Sequence, residues 1–348
     1  MAEAEVAFGD PSVYIERYLT DIRHIEIQVI SDGRTVLHLG ERDCTAQRRN
    51  QKLIEESPSP VLDAELRQGL ADAAVALCKE VGYKNAGTVE FVFDNIERTY
   101  YFIEMNTRIQ VEHPVSEMVS GIDLIKLQLQ IAGGMLLNLT QDDIVITGHA
   151  IECRINAEDP ENNFAPGPGK ITNFRAPGGF GIRMDTHIET GYTIPPYYDS
   201  MIGKLICWGK DRDEAIARTR RALDELVIDG IITTAPFHKK ILETEKFVSG
   251  DFNTAFVAQF LETELSGEPR TAPNLNWRIP RTVTGAADCS PGSTRQPRRA
   301  AQLSRLGCLW EPELRCTHYE SSPSKVSLTL SMTWITTSYR PIDRYHDF

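Results

Sequence analysis

Two β-rich runs, residues 86–93 and 99–107, are joined by residues 94–98 and read as a hairpin whose strands carry acids among apolar side chains. Glu90 sits inside the run VEFVF at 89–93. On the second strand and its extension, period two puts Phe102, Glu104, Asn106 and Arg108 on one face, where Glu90 of the partner strand can meet them. A buried carboxylate left unpaired costs several kcal/mol, so two acids and an amide converging there require a cation or an arginine. Oxygen-only ligands with so few carboxylates suit Mg²⁺ shared with nucleotide phosphates. The competing reading is a solvated sheet face with Glu104 paired to Arg108.

The surrounding chain supplies strands and helices in an α+β order. Residues 24–30 (HIEIQVI) alternate, with Ile25, Ile27 and Val29 facing one way and His24, Glu26 and Gln28 the other, as in a half-buried strand. Asp32-Gly33 signals a hairpin, residues 35–39 make the return strand, and 41–52 follow as a charged loop. Leu66, Leu70, Ala73, Leu77 and Val81 recur at helical spacing over 63–81, with Asp63 to cap the start and Gly82 the end. A short apolar helix over 122–132 stops at Gly133-Gly134, and a domain boundary is expected near residue 147, where Pro, Gly and short strands precede a helix over 213–227. Beyond about residue 265 the chain turns rich in Ser, Thr, Arg and Pro. Eleven Lys and Arg there face seven Asp and Glu, so the tail carries +4 and the first 265 residues −16. Only 325–337 approaches a strand pattern, and the tail is expected to be disordered or loosely docked.

A net charge of −12 argues against a nucleic-acid or anionic-membrane surface, which needs clustered Lys and Arg. Seven scattered cysteines without CxxC spacing point to free thiols rather than to disulfides or zinc. No apolar run of about 18 residues and no secretory start are present, so the expected location is cytoplasmic.

Two further clusters carry charge. Arg42-Asp43, Gln47-Arg48-Arg49 and Lys52, followed by Glu55-Glu56, form either a solvated charged face or an anion site. In ECRIN (152–156), Glu152, Arg154 and Asn156 share one face of a strand. An Arg fixed there can hold a carboxylate or enolate-like oxygen with its planar fork, or serve as a structural ion pair with Glu152 or Glu158. His24, His113 and His149 lack i, i+4 partners for a metal and read as hydrogen-bonding residues.

Six ordered segments together resemble the biotin carboxylase family: YIERYL (14–19), RHIEIQV (23–29), ERDCTAQRRNQKLIEE (41–56), FIEMNTRIQVEHPVSEM (102–118), GHAIECRINAEDP (148–160) and PPYYDSMIGKLI (195–206). The likeness runs from about residue 4 to 262 and is nearest to the subunits of bacterial acetyl-CoA carboxylases. It implies part of an ATP-grasp domain (1–147), the family's C-terminal domain (148–262) and an extraneous tail (263–348). It also implies ATP-dependent carboxylation of biotin by bicarbonate through carboxyphosphate.

By the same resemblance, Glu90, Glu104 and Asn106 would hold Mg²⁺ or Mn²⁺ on the phosphates of ATP. Adenine would hang from the backbone of Glu16, Arg17, Tyr18 and Leu19. His24 and Gln47 would contact the nucleotide sugar or phosphates, as would Asn50, which stands where many members have His. Lys52, Arg108, Gln110 and Val111 would bind bicarbonate, Glu112 would be its general base, and Arg154 would stabilise the ureido enolate of biotin. Implied partners are a biotin carboxyl carrier protein, carboxyltransferase subunits and a second copy of the chain; the absence of a Met-Lys biotinylation motif favours a separate carrier. The biotin carboxylase parts of pyruvate, propionyl-CoA and methylcrotonyl-CoA carboxylases share this chemistry, and a non-catalytic paralogue is the rival of a different class. Family members precede these segments with a Rossmann-like domain and a Gly-rich lid with two phosphate-binding lysines, which residues 1–11 do not replace. Loss of two charged hydrogen bonds is expected to weaken ATP binding by roughly 3–6 kcal/mol.

Overall fold

A computed structural model of the chain describes residues 5–6, 9–12 and 17–265. Glu16 and the tail over 266–348, with its possible strand at 325–337, lie outside the described residues. Strand β1 (Ile22–Asp32) confirms the alternation of 24–30, with Ile25, Ile27 and Val29 buried in one apolar cluster. It is not half-buried, however: Glu26 and Gln28 on the other face are also 0% exposed. Asp32 ends it in a tight turn, its Oδ1 accepting from the N–H groups of Arg34 and Thr35 at 2.8 and 2.7 Å while Gly33 takes φ +89°.

The charged segment 41–52 is no loop. Strand β2 (Val36–Arg48) continues through it, Arg49 and Asn50 turn the chain at φ +48° and +66°, and β3 (Gln51–Ser57) returns. Its charges are tolerated in strands because partners on the neighbouring strand and on the helix packed over the sheet neutralise them. Arg23 Nη1 lies 2.8 Å from Asp43 Oδ2 and Arg67 Nε 2.7 Å from Glu41 Oε1.

Helix α1 (Ala64–Glu80) opens on Asp63, whose side chain accepts from Leu66 N at 3.0 Å, and buries Leu70, Ala74 and Cys78 against Ile25, Ile27, Val89 and Phe91. Full burial of each large aliphatic chain contributes about 1.5–3 kcal/mol. Strands β4 (Lys84–Asp94) and β5 (Thr99–Asn106) form the expected hairpin, but its register shifts: Phe91 faces Phe102 and Glu90 faces Glu104, leaving Ile103 as an extra residue. This bulge reverses the facing of what precedes it. Phe102 therefore joins Phe91, their rings 6.3 Å apart, instead of sharing a face with Glu104 and Asn106.

Two helices follow on the sheet's other face. Helix α2 (His113–Ser120), which periodicity did not reveal, starts with Glu112 at its N-cap, and α3 (Leu124–Ala132) is capped by Asp123. Beyond them β6 (His149–Asn156) pairs with β3, so one antiparallel sheet continues across residue 147. Short strands β7 (Glu158–Asp159), β8 (Ala165–Pro166) and β9 (Asn173–Arg175) precede β10 (Ile182–Thr186) and β11 (Met201–Gly209); β12 (Val227–Asp229) pairs with β9. The main sheet has the order β10-β11-β6-β3-β2-β1-β4-β5. Helices α4 (Arg212–Glu225), α5 (Ala235–Glu243), α6 (Glu245–Ser249) and α7 (Phe256–Leu265) complete the C-terminal part, where Ile151, Cys153 and Leu205 of the sheet meet Ile216, Leu223 and Ile241. Cys44, Cys78, Cys153 and Cys207 are buried free thiols, and no described helix is long and apolar enough to cross a membrane.

Candidate active site

Strand register builds the site as a transverse row on the sheet face away from α1. Glu104 on β5 lies opposite Glu90 on β4, Glu90 opposite Glu26 on β1, and Glu26 opposite Arg42 on β2. Adjacent carboxylates at cross-strand spacing repel, so cations must thread the row. Arg42, fully buried, does so with all five of its N–H groups. Its Nε meets Glu26 Oε1 at 2.6 Å, Nη1 meets Gln28 Oε1 at 2.5 Å and Ser116 Oγ at 3.0 Å, and Nη2 meets Thr88 Oγ1 at 3.1 Å and Gln110 Oε1 at 3.0 Å.

Lys52 supplies the second cation, its three N–H groups spread over Glu26 Oε2 (2.6 Å), Glu112 Oε1 (2.6 Å) and Glu90 Oε1 (3.2 Å). The third arrives from β6: Arg154 Nε bonds Glu55 Oε1 at 2.5 Å and Nη2 bonds Glu112 Oε2 at 3.1 Å. Each oxygen of Glu112 is thus held by a different cation. Burial would raise the carboxyl of Glu26, but Arg42 and Lys52 outweigh it and hold it down to about 2. Glu90, likewise opposed by burial, is held at about 2 by the His24 imidazole close beside it and the charge of Lys52. Burial would lower Lys52 and Arg154, yet the carboxylates around them, Glu26 first for Lys52 and Glu55 first for Arg154, keep both above their ordinary values.

Asn106 links the two carboxylates of the β4–β5 hairpin through its amide nitrogen. Asn106 Nδ2 donates to Glu90 Oε1 at 3.0 Å and to Glu104 Oε1 at 3.1 Å, and Gln110 Nε2 reaches Glu90 Oε1 at 2.7 Å. Glu104 therefore leans on Asn106 rather than Arg108, whose exposed guanidinium reaches only the carbonyl of Ile109 at 3.3 Å. Two carboxylates and an amide from neighbouring strands are a donor set that fits a hard divalent cation. His24 Nε2 lies 2.9 Å from Glu90 Oε2, and donor atoms of His24, Glu26 and Glu90 fall within 4.8 Å of one another. No i, i+4 spacing announces that grouping, because its members come from two strands.

Other expected residues stand further out. Gln47 is buried directly across from Lys52, Asn50 is exposed at the hairpin turn, and the carbonyl of Val111 accepts from Lys204 Nζ at 2.9 Å. Arg17 pairs with Glu97 at 2.5 Å at the edge of the β4–β5 hairpin, with Tyr18 exposed and Leu19 half-buried beside it. Sequence reasoning placed Arg42 and Glu55 only in a charged cluster without individual roles, and gave Glu26 and Lys204 no site role. For Glu26 and Arg42 a signal existed, since both are charged residues in strand-length segments flanking the Asp32-Gly33 turn. Arg154 pairs with Glu55 and Glu112, not with Glu152 or Glu158.

Residues 1–140 match the family model of the carbamoyl-phosphate synthase L chain ATP-binding domain, and residues 152–259 that of the biotin carboxylase C-terminal domain. Biotin carboxylase 1 of Bacillus subtilis is 62% identical over 260 residues, covering 74% of this chain and 58% of that protein. A pyruvate carboxylase subunit of Methanothermobacter thermautotrophicus is 56% identical over 258 residues, 74% of this chain and 52% of that one. Among solved structures, the biotin carboxylase domain dimer of Hydrogenobacter thermophilus 2-oxoglutarate carboxylase, in complex with MgADP, ADP and bicarbonate, superposes with a TM-score of 0.70 at 47% identity, covering 75% of this chain and 58% of that chain. The chain thus spans a little over half the length of the proteins it matches. With both family models matched in order and a biotin carboxylase 62% identical over 260 residues, the chain belongs to the biotin carboxylase family.

Proposed function

We propose that the chain is the biotin carboxylase component of an acyl-CoA carboxylase, in which residues 1–147 form the ATP-grasp portion and 148–262 the C-terminal domain. The observation that supports it is Glu112, a buried carboxylate between Lys52 and Arg154, beside an oxygen cluster suited to a phosphate-bound metal. Glu90, Glu104 and Asn106 would hold Mg²⁺ or Mn²⁺, which when bound offsets phosphate charge. The backbone over 16–19 would carry adenine, and His24, Gln47 and Asn50 the nucleotide sugar or phosphates.

Lys52, Arg108, Gln110 and Val111 would bind bicarbonate. Glu112 takes its proton, and the freed oxygen attacks the γ-phosphorus of ATP; a P–O bond forms as the bond to ADP breaks. The carboxyphosphate so formed splits at its C–O bond into CO₂ and phosphate, and phosphate takes the N1′ proton of biotin. As N1′ attacks CO₂, Arg154 meets the negative charge on the ureido oxygen with a guanidinium already fixed by Glu55. The biotin would ride on a carrier protein to carboxyltransferase subunits in the cytoplasm, with a second copy of the chain as dimer partner. Acetyl-CoA is the acceptor we favour; the pyruvate carboxylase relative supports pyruvate as the second reading.

The test is phosphate release from ATP with free biotin present, with and without bicarbonate. It is run on the chain alone and on the chain with a polypeptide completing the length of its relatives. Release that requires bicarbonate is expected. Release indifferent to bicarbonate, or none in either preparation, would instead favour a non-catalytic paralogue.

A further inference from the structure

Beneath Arg154 lies a pair of acids that the proposed chemistry does not use. Glu55 on β3 and Glu152 on β6 face each other directly in the strand ladder, and both are 0% exposed. Arg154 Nε occupies Glu55 Oε1, but Glu55 Oε2 and both oxygens of Glu152 receive no donor. The two bases nearest the pair are already engaged: Arg154 by Glu55 and Glu112, and Lys204 by the Val111 carbonyl and by Asp185 at 3.8 Å. On α2, packed over β6, His113 bonds the Gln110 carbonyl and Glu117 pairs with Arg183.

Two buried carboxylates at cross-strand distance with only one cation bonded to the pair do not both ionise, and one shared proton supplies the donor that their free oxygens lack. We propose that Glu55 and Glu152 share one proton as a buried carboxyl pair, and that this pair is a positioning element setting how firmly Arg154 is held. It stands independently of the substrate that Arg154 meets. Burial, and then each acid's carboxylate neighbours, push in the same direction: Glu55 rises to about 7 against the pull of Arg154, and Glu152 rises well above its ordinary value against Lys204 and Arg154. The proton belongs to the pair rather than to either residue.

The sign of the pH dependence follows. A carboxyl raised in the folded state stabilises most below its unfolded value of 4.5, and that contribution is lost as pH rises toward the folded value. Melting temperatures of the wild-type chain and Glu152→Gln, measured from about pH 5 to about pH 8, should therefore diverge in favour of the variant by roughly 3–5 °C per pH unit. The unmodified chain should also show an infrared carbonyl band of a buried protonated carboxyl at neutral pH, a reading that survives if the variant fails to fold. For positioning, the Arg154 Nε–H resonance should move with pH in the wild type and stay still in Glu152→Gln, which always offers a donor to Glu55. Parallel melting curves, no such band, or an Arg154 resonance that titrates equally in both proteins would overturn the proposal.

Discussion

Replacing Arg42 with Met is expected to cause the largest loss of stability of any single change in the row, about 3–5 kcal/mol, or roughly 6–20 °C in melting temperature. Methionine fills much of the same space but leaves Glu26 Oε1, Gln28 Oε1 and Gln110 Oε1 without the donors they now use. Glu26 and Gln28 on β1 are 0% exposed and Gln110 beside them is buried, so the desolvation they suffered on folding is no longer offset. The double variant Arg42→Met, Glu26→Leu separates this from simple loss of packing. Removing both charges should recover a large part of the loss, because a buried ion pair replaced on both sides by apolar groups is often close to neutral. Recovery is expected to be incomplete, since Lys52 Nζ then loses its Glu26 partner and keeps Glu112 and Glu90. Thermal melts of the two variants check the prediction; an Arg42→Met chain as stable as wild type would mean that the arginine network is incidental.

Replacing Glu112 with Gln is expected to lower bicarbonate-dependent ATP cleavage by about 10²–10⁴-fold while nucleotide affinity stays nearly unchanged. The amide keeps the shape of the side chain but cannot accept a proton from bicarbonate. Oxygens of Glu112 meet Lys52 and Arg154 rather than the acid row, so the proposed metal ligands keep their own contacts. Because a buried amide must turn one NH₂ toward a cation, the variant is compared by melting temperature with Glu112→Asp, which retains a base at a shorter reach and should regain part of the rate. Rates through Glu112→Gln equal to wild type would remove Glu112 as the base.

What was legible in the sequence was local. Asp63 and the spacing of Leu66, Leu70 and Leu77 announced α1, and the alternation of Ile25, Ile27 and Val29 announced β1, because caps and period-two patterns act within a few residues. Residues 41–48 looked like a solvated loop because their polarity was read one residue at a time. Glu41 finds its neutralising Arg67, and Arg42 finds Glu26, only once strands and helix have packed. The same holds for the bulge at Ile103, which no propensity marks yet which decides that Glu104 and Asn106 share a face and Phe102 does not. Motif resemblance reached Lys52, Glu112 and Arg154 without saying how they meet. That depends on β6 adding to β3, a pairing between segments almost a hundred residues apart, counted from Ile54 to Cys153.

The central claim is that Glu112 activates bicarbonate for attack on ATP, and it predicts where an oxygen atom goes. When the bicarbonate oxygen bonds to the γ-phosphorus and carboxyphosphate later splits at carbon, that oxygen remains on phosphate. Heavy-oxygen-labelled bicarbonate, supplied with ATP and free biotin in unlabelled water, should therefore deliver one labelled oxygen to each phosphate released, as read by mass spectrometry. Phosphate whose new oxygen comes only from water would contradict the account.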